Sequence, residues 1–144
     1  MKPHDTIDFH IRWAWAKMSK AYNVQAAKVN ATMPMAFTLL SIDKEGTAAT
    51  KLGPKMGMEP TSLSRLLKTM EEQGYITRTR DQIDGRKVYI HATKKGQDYR
   101  EIAKQKVVEL NQHMQEIIPS EKLEVFFEVI KMINQELDKN KIFG

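Results

Sequence analysis

The chain contains no cysteine, which excludes a disulfide scaffold and any switch built on thiol oxidation and is compatible with a reducing compartment. No run approaches the about 18 consecutive apolar residues that a membrane span needs, so no membrane is expected as a partner. The opening residues MKPHDTIDFHIRW carry acids and lack the apolar core and small-residue cleavage site of a secretory signal, so the expected location is cytoplasmic. Catalytic signatures are missing too: there is no Gly-rich phosphate loop and no Gly-x-Ser-x-Gly elbow. Glu71 and Glu72 are adjacent on a helical stretch and point in different directions, so they make no acid/base pair. The histidines at 4, 10, 91 and 113 have no metal-ligand spacing, and without cysteine the case for zinc is poor. No enzyme, cofactor or metal site is expected. Nine methionines could in principle meet oxidants, but most fall on apolar stripes, where packing is the expected role.

What the chain does have is enough apolar content, 41% of 144 residues, for one compact domain or two small lobes sharing a core. Its net charge of +5 is modest but localised. Residues 51–95 hold ten Lys or Arg against five Asp or Glu, and the remainder of the chain balances. The entire surplus therefore lies in one segment, as an electrostatic footprint for a phosphate backbone requires.

That segment includes the run Gly57 to Gly96, around which the chain is organised. Pro60 suits a first helical position, where its missing N–H goes unneeded, and Gly74 suits the left-handed residue just past the end. At 100° per residue Leu63, Leu66, Leu67 and Met70 share one face, the spacing of a helix packed on a core. Thr61, Ser64, Arg65, Lys68 and Glu72 fall opposite, with Ser62 beside them. Such a face can simply be solvated. It can also approach a duplex through its small hydroxyls while Arg65 and Lys68 reach a guanine edge or a phosphate. Two alternating runs follow, Tyr75 to Arg80 and Lys87 to Ala92, with Ile76, Val88, Ile90 and Ala92 as buried positions and an Asp84-Gly85 turn between. A helix followed by a β-hairpin is the outline of a winged helix-turn-helix. Arg78, Arg80, Arg86 and Lys87 crowd this hairpin, and an arginine on a thin loop can enter a narrow minor groove. Asp84 is expected to orient Arg86 or to close the turn.

Read together, these residues resemble the MarR family of bacterial transcription regulators. The resemblance rests on LGPKMGMEPTSLSRLLKTMEEQGYI from Leu52 to Ile76, DGR from Asp84 to Arg86, and ATKKG from Ala92 to Gly96. Two positions depart from the family pattern. Gly53-Pro54 stands where ordinary helix formers are usual, which predicts a short or bent first helix, and Ala92 replaces a leucine beneath the wing. The resemblance implies a mainly α fold with a small β-hairpin wing (α+β), a homodimer, double-stranded DNA as partner and a small apolar or aromatic effector.

The rest of the chain reads as helices. From about Asp5 to Asn30, Ile7, Ile11, Trp15, Met18 and Tyr22 form one apolar flank and Phe9, Trp13 and Ala16 a second, which suggests burial on two sides. Trp13 and Trp15 are read first as packing residues. The resemblance adds a ligand crevice bordered by Trp13, Trp15, Tyr22 and Phe37, with His10 as a further lining residue. A second helix is expected over 34–44, capped by Thr32, with Phe37, Leu39 and Leu40 inward. Thr47 to Ala49 reads as a minimal strand pairing with the wing. The next helix starts near Thr50, buries Leu52 and Met56, and spaces Lys51 and Lys55 to touch phosphates. After the wing, Thr93 caps a helix running to Ile118 with a coiled-coil-like seam of Tyr99, Ala103, Val107, Leu110, Met114 and Ile117. Pro119 breaks it and Ser120 caps a last helix, whose Leu123, Phe126, Phe127, Ile130, Ile133 and Leu137 form one face while Val125, Val129 and Met132 spread onto another. One subunit is too small to cover that surface, so a second copy is expected to. The expected organisation is a single domain over 1–144, with 5–30 and 97–141 as a helical dimerisation lobe and 32–96 as the DNA-binding lobe. The competing class is a winged-helix protein-interaction module that does not bind DNA and is therefore insensitive to salt.

Overall fold

The computed structural model describes all 144 residues, Met1–Gly144. A short 3-10 turn, Pro3–Asp5, precedes six helices: α1 Ile7–Ala27, α2 Met33–Ser41, α3 Ala49–Met56, α4 Pro60–Glu72, α5 Lys94–Ile117 and α6 Ser120–Asp138. Three strands, β1 Thr47–Ala48, β2 Ile76–Arg80 and β3 Val88–Ala92, form one antiparallel sheet in the order β1-β3-β2. The mainly α architecture with a β wing is as expected. No helix is long and apolar enough to cross a membrane.

The chain divides into two compact units, Met1–Lys106 and Val107–Gly144, with the boundary inside α5. In this division α1 groups with the helix-turn-helix elements, whereas the sequence pattern grouped it with the C-terminal helices.

In the first unit the core is built where the sequence periodicity placed it. Leu63, Leu67 and Met70 of α4 are buried together with Leu52, Ile76 and Ile90, and Leu66 packs at the margin. Fully burying side chains of this size stabilises by about 1.5–3 kcal/mol each. The C-terminus of α4 closes as a Schellman turn: Gly74 takes φ 80°, its N–H donates to the Glu71 carbonyl, and the Tyr75 N–H donates to that of Met70 at 2.9 Å. This turn sends the chain into β2 at a fixed angle. Register then pairs Ile76 with Ala92, Arg78 with Ile90 and Arg80 with Val88.

The motif ATKKG acts as a fastener between the wing and α5. Thr93 Oγ1 donates to the Gly74 carbonyl at 2.6 Å and accepts from the Gly96 N–H at 3.1 Å, so it caps α5 while holding the end of α4. At Gly96 a Cβ would collide with the Tyr75 carbonyl oxygen, so only glycine lets α5 start this close to β2. Ala92 packs at the margin of the same core. The expected shortness of the first reading-motif helix is observed: α3 has eight residues, with Pro54 inside it and Gly53 buried against the following turn.

Several boundaries and burials differ from expectation. α2 ends at Ser41 rather than at 44, because Ile42 turns extended to bury its side chain and the chain then folds through Asp43 to Gly46, whose φ is 97°. α1 buries none of its residues fully: Met18 and Tyr22 are half-buried, but Ile7, Ile11, Trp13 and Trp15 stay exposed. Ser120 is the first residue of α6, not its cap; that position is Pro119, which has no side-chain oxygen to offer.

In the second unit, Leu123, Ile130 and Ile133 of α6 are half-buried. Val125, Phe126, Phe127, Val129, Met132 and Leu137 are exposed. The predicted apolar surface is therefore present and uncovered in one copy.

Candidate nucleic-acid interface

The outer face of α4 is set by the burial of its inner face. With Leu63, Leu67 and Met70 pinned in the core, Thr61, Ser62, Ser64, Arg65 and Lys68 are all exposed. Neither Arg65 nor Lys68 forms an ion pair, so both cations are available to an external anion. Short hydroxyl side chains around them permit close approach of a groove wall.

The hairpin cations have distinct fates. Arg86 is 96% exposed in its side chain, and its Nε lies 3.6 Å from Asp84 Oδ1. The same carboxylate oxygen accepts the Arg86 backbone N–H at 3.1 Å. Asp84 therefore both shapes the turn and biases the guanidinium, the two roles its position suggested. Arg80 is committed inside the wing, donating from Nη1 to the Gly85 carbonyl at 3.0 Å. Arg78 faces back toward α4, with Nε 3.5 Å from Glu71 Oε1. It shares a register position with buried Ile90, which explains why it lies against the body of the protein.

Of the two lysines expected on phosphates, Lys51 is exposed and lines a hollow of about 520 Å³ together with Arg86, Lys87 and Tyr89. Lys55 departs from expectation. Its Nζ donates to the Ser41 carbonyl at 2.6 Å and to Asp43 Oδ1 at 3.2 Å, tying α3 to the end of α2. The orphan carbonyl at a helix C-terminus and a nearby carboxylate outcompete solvent for this ammonium.

Sequence reasoning missed the wing's organiser, Asp81. Its Oδ1 accepts the Ile83 N–H at 2.9 Å, and its own N–H donates to the Lys87 carbonyl. An aspartate whose carboxylate can accept the N–H two residues on, just ahead of the Asp84-Gly85 turn, is an Asx-turn signal that could have been read. Lys95 was also missed as a fastener: it donates to the Gln73 carbonyl at 2.8 Å and sits 4.5 Å from the Tyr75 ring centroid.

The proposed crevice residues separate into two groups. Trp15 stacks on Phe37 with centroids 5.8 Å apart, and Tyr22 meets the same ring edge-on at 6.0 Å. Trp15 and Phe37 line a cavity of about 500 Å³ that also touches Leu40 and Lys55. Burial pushes the Tyr22 phenol above its ordinary range. Trp13 and His10 are not brought there. Trp13 packs on Phe9 at 6.1 Å with Lys17 over its ring, and His10 Nε2 is 2.7 Å from the His4 carbonyl. Two residues apart on a helix means about 200° around it, so Trp13 and Trp15 cannot face one crevice.

Residues 20–103 match the family model described as transcriptional regulator SarA/Rot. The chain is 33% identical over 97 residues to the organic hydroperoxide resistance transcriptional regulator of Bacillus subtilis strain 168, a match covering 67% of this chain and 66% of that protein. It thus spans about two thirds of that relative's length. It is 34% identical over 104 residues to the HTH-type transcriptional regulator SarZ of Staphylococcus saprophyticus, covering 69% of this chain and 71% of that one. Its fold is similar to that of MepR in the S. aureus MepR-DNA complex, with a TM-score of 0.84 at 18% identity over 92% of this chain and 98% of that chain. The chain belongs to the SarA/Rot family of winged-helix transcriptional regulators, a family of MarR-type proteins and not of enzymes.

Proposed function

We propose that the protein is a cytoplasmic homodimer that binds double-stranded DNA, each copy laying α4 in a major groove and Arg86 of the wing in the adjoining minor groove. The half-sites of a pseudo-palindromic operator would lie about one turn, roughly 10 base pairs, apart. The observation that carries this reading is the exposed hydroxyl-and-cation face of α4, without an ion pair inside the chain, together with the 96% exposed Arg86 of the wing. In this arrangement Arg65 reads a base edge and Lys68, Lys51 and Lys87 neutralise phosphates, while Arg78, Arg80 and Asp84 hold the wing in shape. The uncovered apolar face of α6, with Phe126, Phe127 and Met132, supports a second copy as its cover. The crevice at Trp15 and Phe37, backed by Tyr22 edge-on to Phe37, supports an apolar or aromatic effector that releases DNA by shifting the spacing of the two heads.

Binding to labelled duplex, measured at two salt concentrations alongside solution sizing, tests the whole reading. If two heads neutralise about 6–10 phosphates, affinity falls about 10³–10⁵-fold between 50 and 200 mM salt. A flat salt profile rejects DNA as the partner. Phe127→Glu should shift the sizing peak from dimer to monomer, and an unchanged peak removes α6 from the interface. For the effector, titration with aromatic acids should quench tryptophan fluorescence and weaken DNA binding together; no change in either removes it.

A further inference from the structure

The wing tip is built from two copies of one small device. In Asp81-Gln82-Ile83 the Ile83 N–H donates to Asp81 Oδ1 at 2.9 Å, and in Asp84-Gly85-Arg86 the Arg86 N–H donates to Asp84 Oδ1 at 3.1 Å. Each is an aspartate accepting the N–H two residues on, a turn that fixes the backbone and leaves the third side chain to project. The loop is closed around both. The Asp81 N–H donates to the Lys87 carbonyl at 2.9 Å, the Lys87 N–H to the Asp84 carbonyl at 3.0 Å, and Arg80 Nη1 to the Gly85 carbonyl at 3.0 Å. The second turn presents Arg86. The first presents Ile83, which is 98% exposed.

That exposure is out of keeping with the rest of the chain. Apart from Met1, Ile142 and Phe143 at the ends of the sequence, every other large apolar side chain left exposed lies on α1, α5 or α6, and the most exposed of them, Met132, reaches 66%. An apolar residue on a helical face needs no special account. Ile83 is instead alone on the DNA-reading head, held at the tip of a polar loop, where it packs on nothing in its own chain.

We propose that Ile83 is a DNA contact of the wing, an apolar side chain that enters the minor groove beside Arg86 and packs on the deoxyribose C–H surface of the groove wall. The proposal rests on the DNA-reading role given above and adds a second kind of contact to it. Sugar C–H groups offer little to a cation but suit a branched alkyl group. In an A·T-rich tract the minor groove narrows, so the change that strengthens the field on Arg86 also brings the sugars within reach of Ile83. Branching at Cβ restricts χ1, and the Asp81 turn already fixes the backbone, so little freedom is lost on contact. The two side chains divide the work by physics: the Arg86 contact weakens with salt, whereas burying apolar surface releases no counterion.

Ile83→Val and Ile83→Thr test this as a pair, because they share size and branching and differ by one hydroxyl. Binding of the full-length protein to DNA duplexes with A·T-rich and G·C-rich flanks is measured at two salt concentrations, with urea unfolding as the control on folding. Ile83→Val should stay within about threefold of the parent, and Ile83→Thr should bind the A·T-rich duplex about tenfold or more weakly. The loss should be smaller on G·C-rich flanks, the salt slope should stay parallel to the parent's, and the unfolding midpoints should coincide. Equal affinities of the two variants would overturn the proposal. So would a loss in Ile83→Thr accompanied by a flattened salt slope, which would assign the effect to Arg86. Failure of the parent to bind either duplex would remove the DNA-reading role and this contact with it. A parent that binds with a steep salt dependence while Ile83→Thr matches it would reject the contact alone.

Discussion

Replacing Arg86 by Ala separates a wing that reads DNA from one that merely folds. The side chain is 96% exposed, and its one charge partner, Asp84, lies 3.6 Å away, beyond a good hydrogen bond. The backbone bond from the Arg86 N–H to Asp84 survives the substitution. Folding stability should therefore change by no more than about 0.5 kcal/mol, the usual range for a surface site. An arginine lost from a groove should cost about 1–3 kcal/mol per head. With two heads engaged, the loss is about 2–6 kcal/mol, at least roughly thirtyfold in affinity. The salt dependence should also flatten by about 0.9 per head, close to two ions released fewer for the dimer. Fluorescence anisotropy on duplexes with A·T-rich and G·C-rich flanks at two salt concentrations reads both quantities, and urea denaturation supplies the stability control. The loss should be larger on A·T-rich flanks, where the groove is narrow. Affinity within twofold of the parent on both duplexes, with stability unchanged, would refute the minor-groove role of the wing.

Lys55→Ala should behave in the opposite sense. Because its ammonium is held by Ser41 and Asp43, the change should lower stability by about 1 kcal/mol or less and leave the salt slope of DNA binding as it was; a slope reduced by about one per head would return Lys55 to the phosphate contacts. Gly96→Ala drives a Cβ into the Tyr75 carbonyl oxygen and to 3.2 Å from Leu39 Cδ2, so the midpoint of urea unfolding should correspond to a loss of about 1–3 kcal/mol or more, and an unchanged midpoint would contradict the close approach of α5. Tyr75 is 3% exposed and edge-on to Tyr99 at 4.8 Å. Burial first, and then the hydrogen bond and charge of Tyr99, raise its phenol above the ordinary value of 10.0. The unfolded chain then ionises before the folded one, so this stabilisation is complete below about pH 10 and falls as pH rises through the folded value. Unfolding curves on either side of about pH 10 should show the fall in the parent and a smaller one in Tyr75→Phe.

How much was legible in the sequence depends on whether a residue's role is local. The inner face of α4, its start at Pro60, the left-handed Gly74, the cap at Thr93 and the hairpin turn at Asp84-Gly85 all follow from neighbours within a few positions. Each is present as read. The charge surplus of residues 51–95 is likewise a property of composition along the chain. Partnerships across long separations were not legible. Lys51 and Lys55 look alike in sequence, yet one is exposed beside a hollow of mixed charge and the other closes on a carbonyl fourteen residues away. Trp13 and Trp15 look like a pair, but the helix sends them to different neighbours.

The sequence by itself determined the winged helix-turn-helix, its apolar spine and the sign and place of its excess charge, because helix periodicity, turn chemistry and charge density need only short stretches of chain. Tertiary structure alone decided which cations are held by other groups of the protein, at Lys55, Arg78 and Arg80, and which stay exposed to solvent, at Arg65, Lys68 and Arg86. A charged side chain takes the nearest adequate acceptor, and which acceptor is nearest is a question of packing that no local pattern answers.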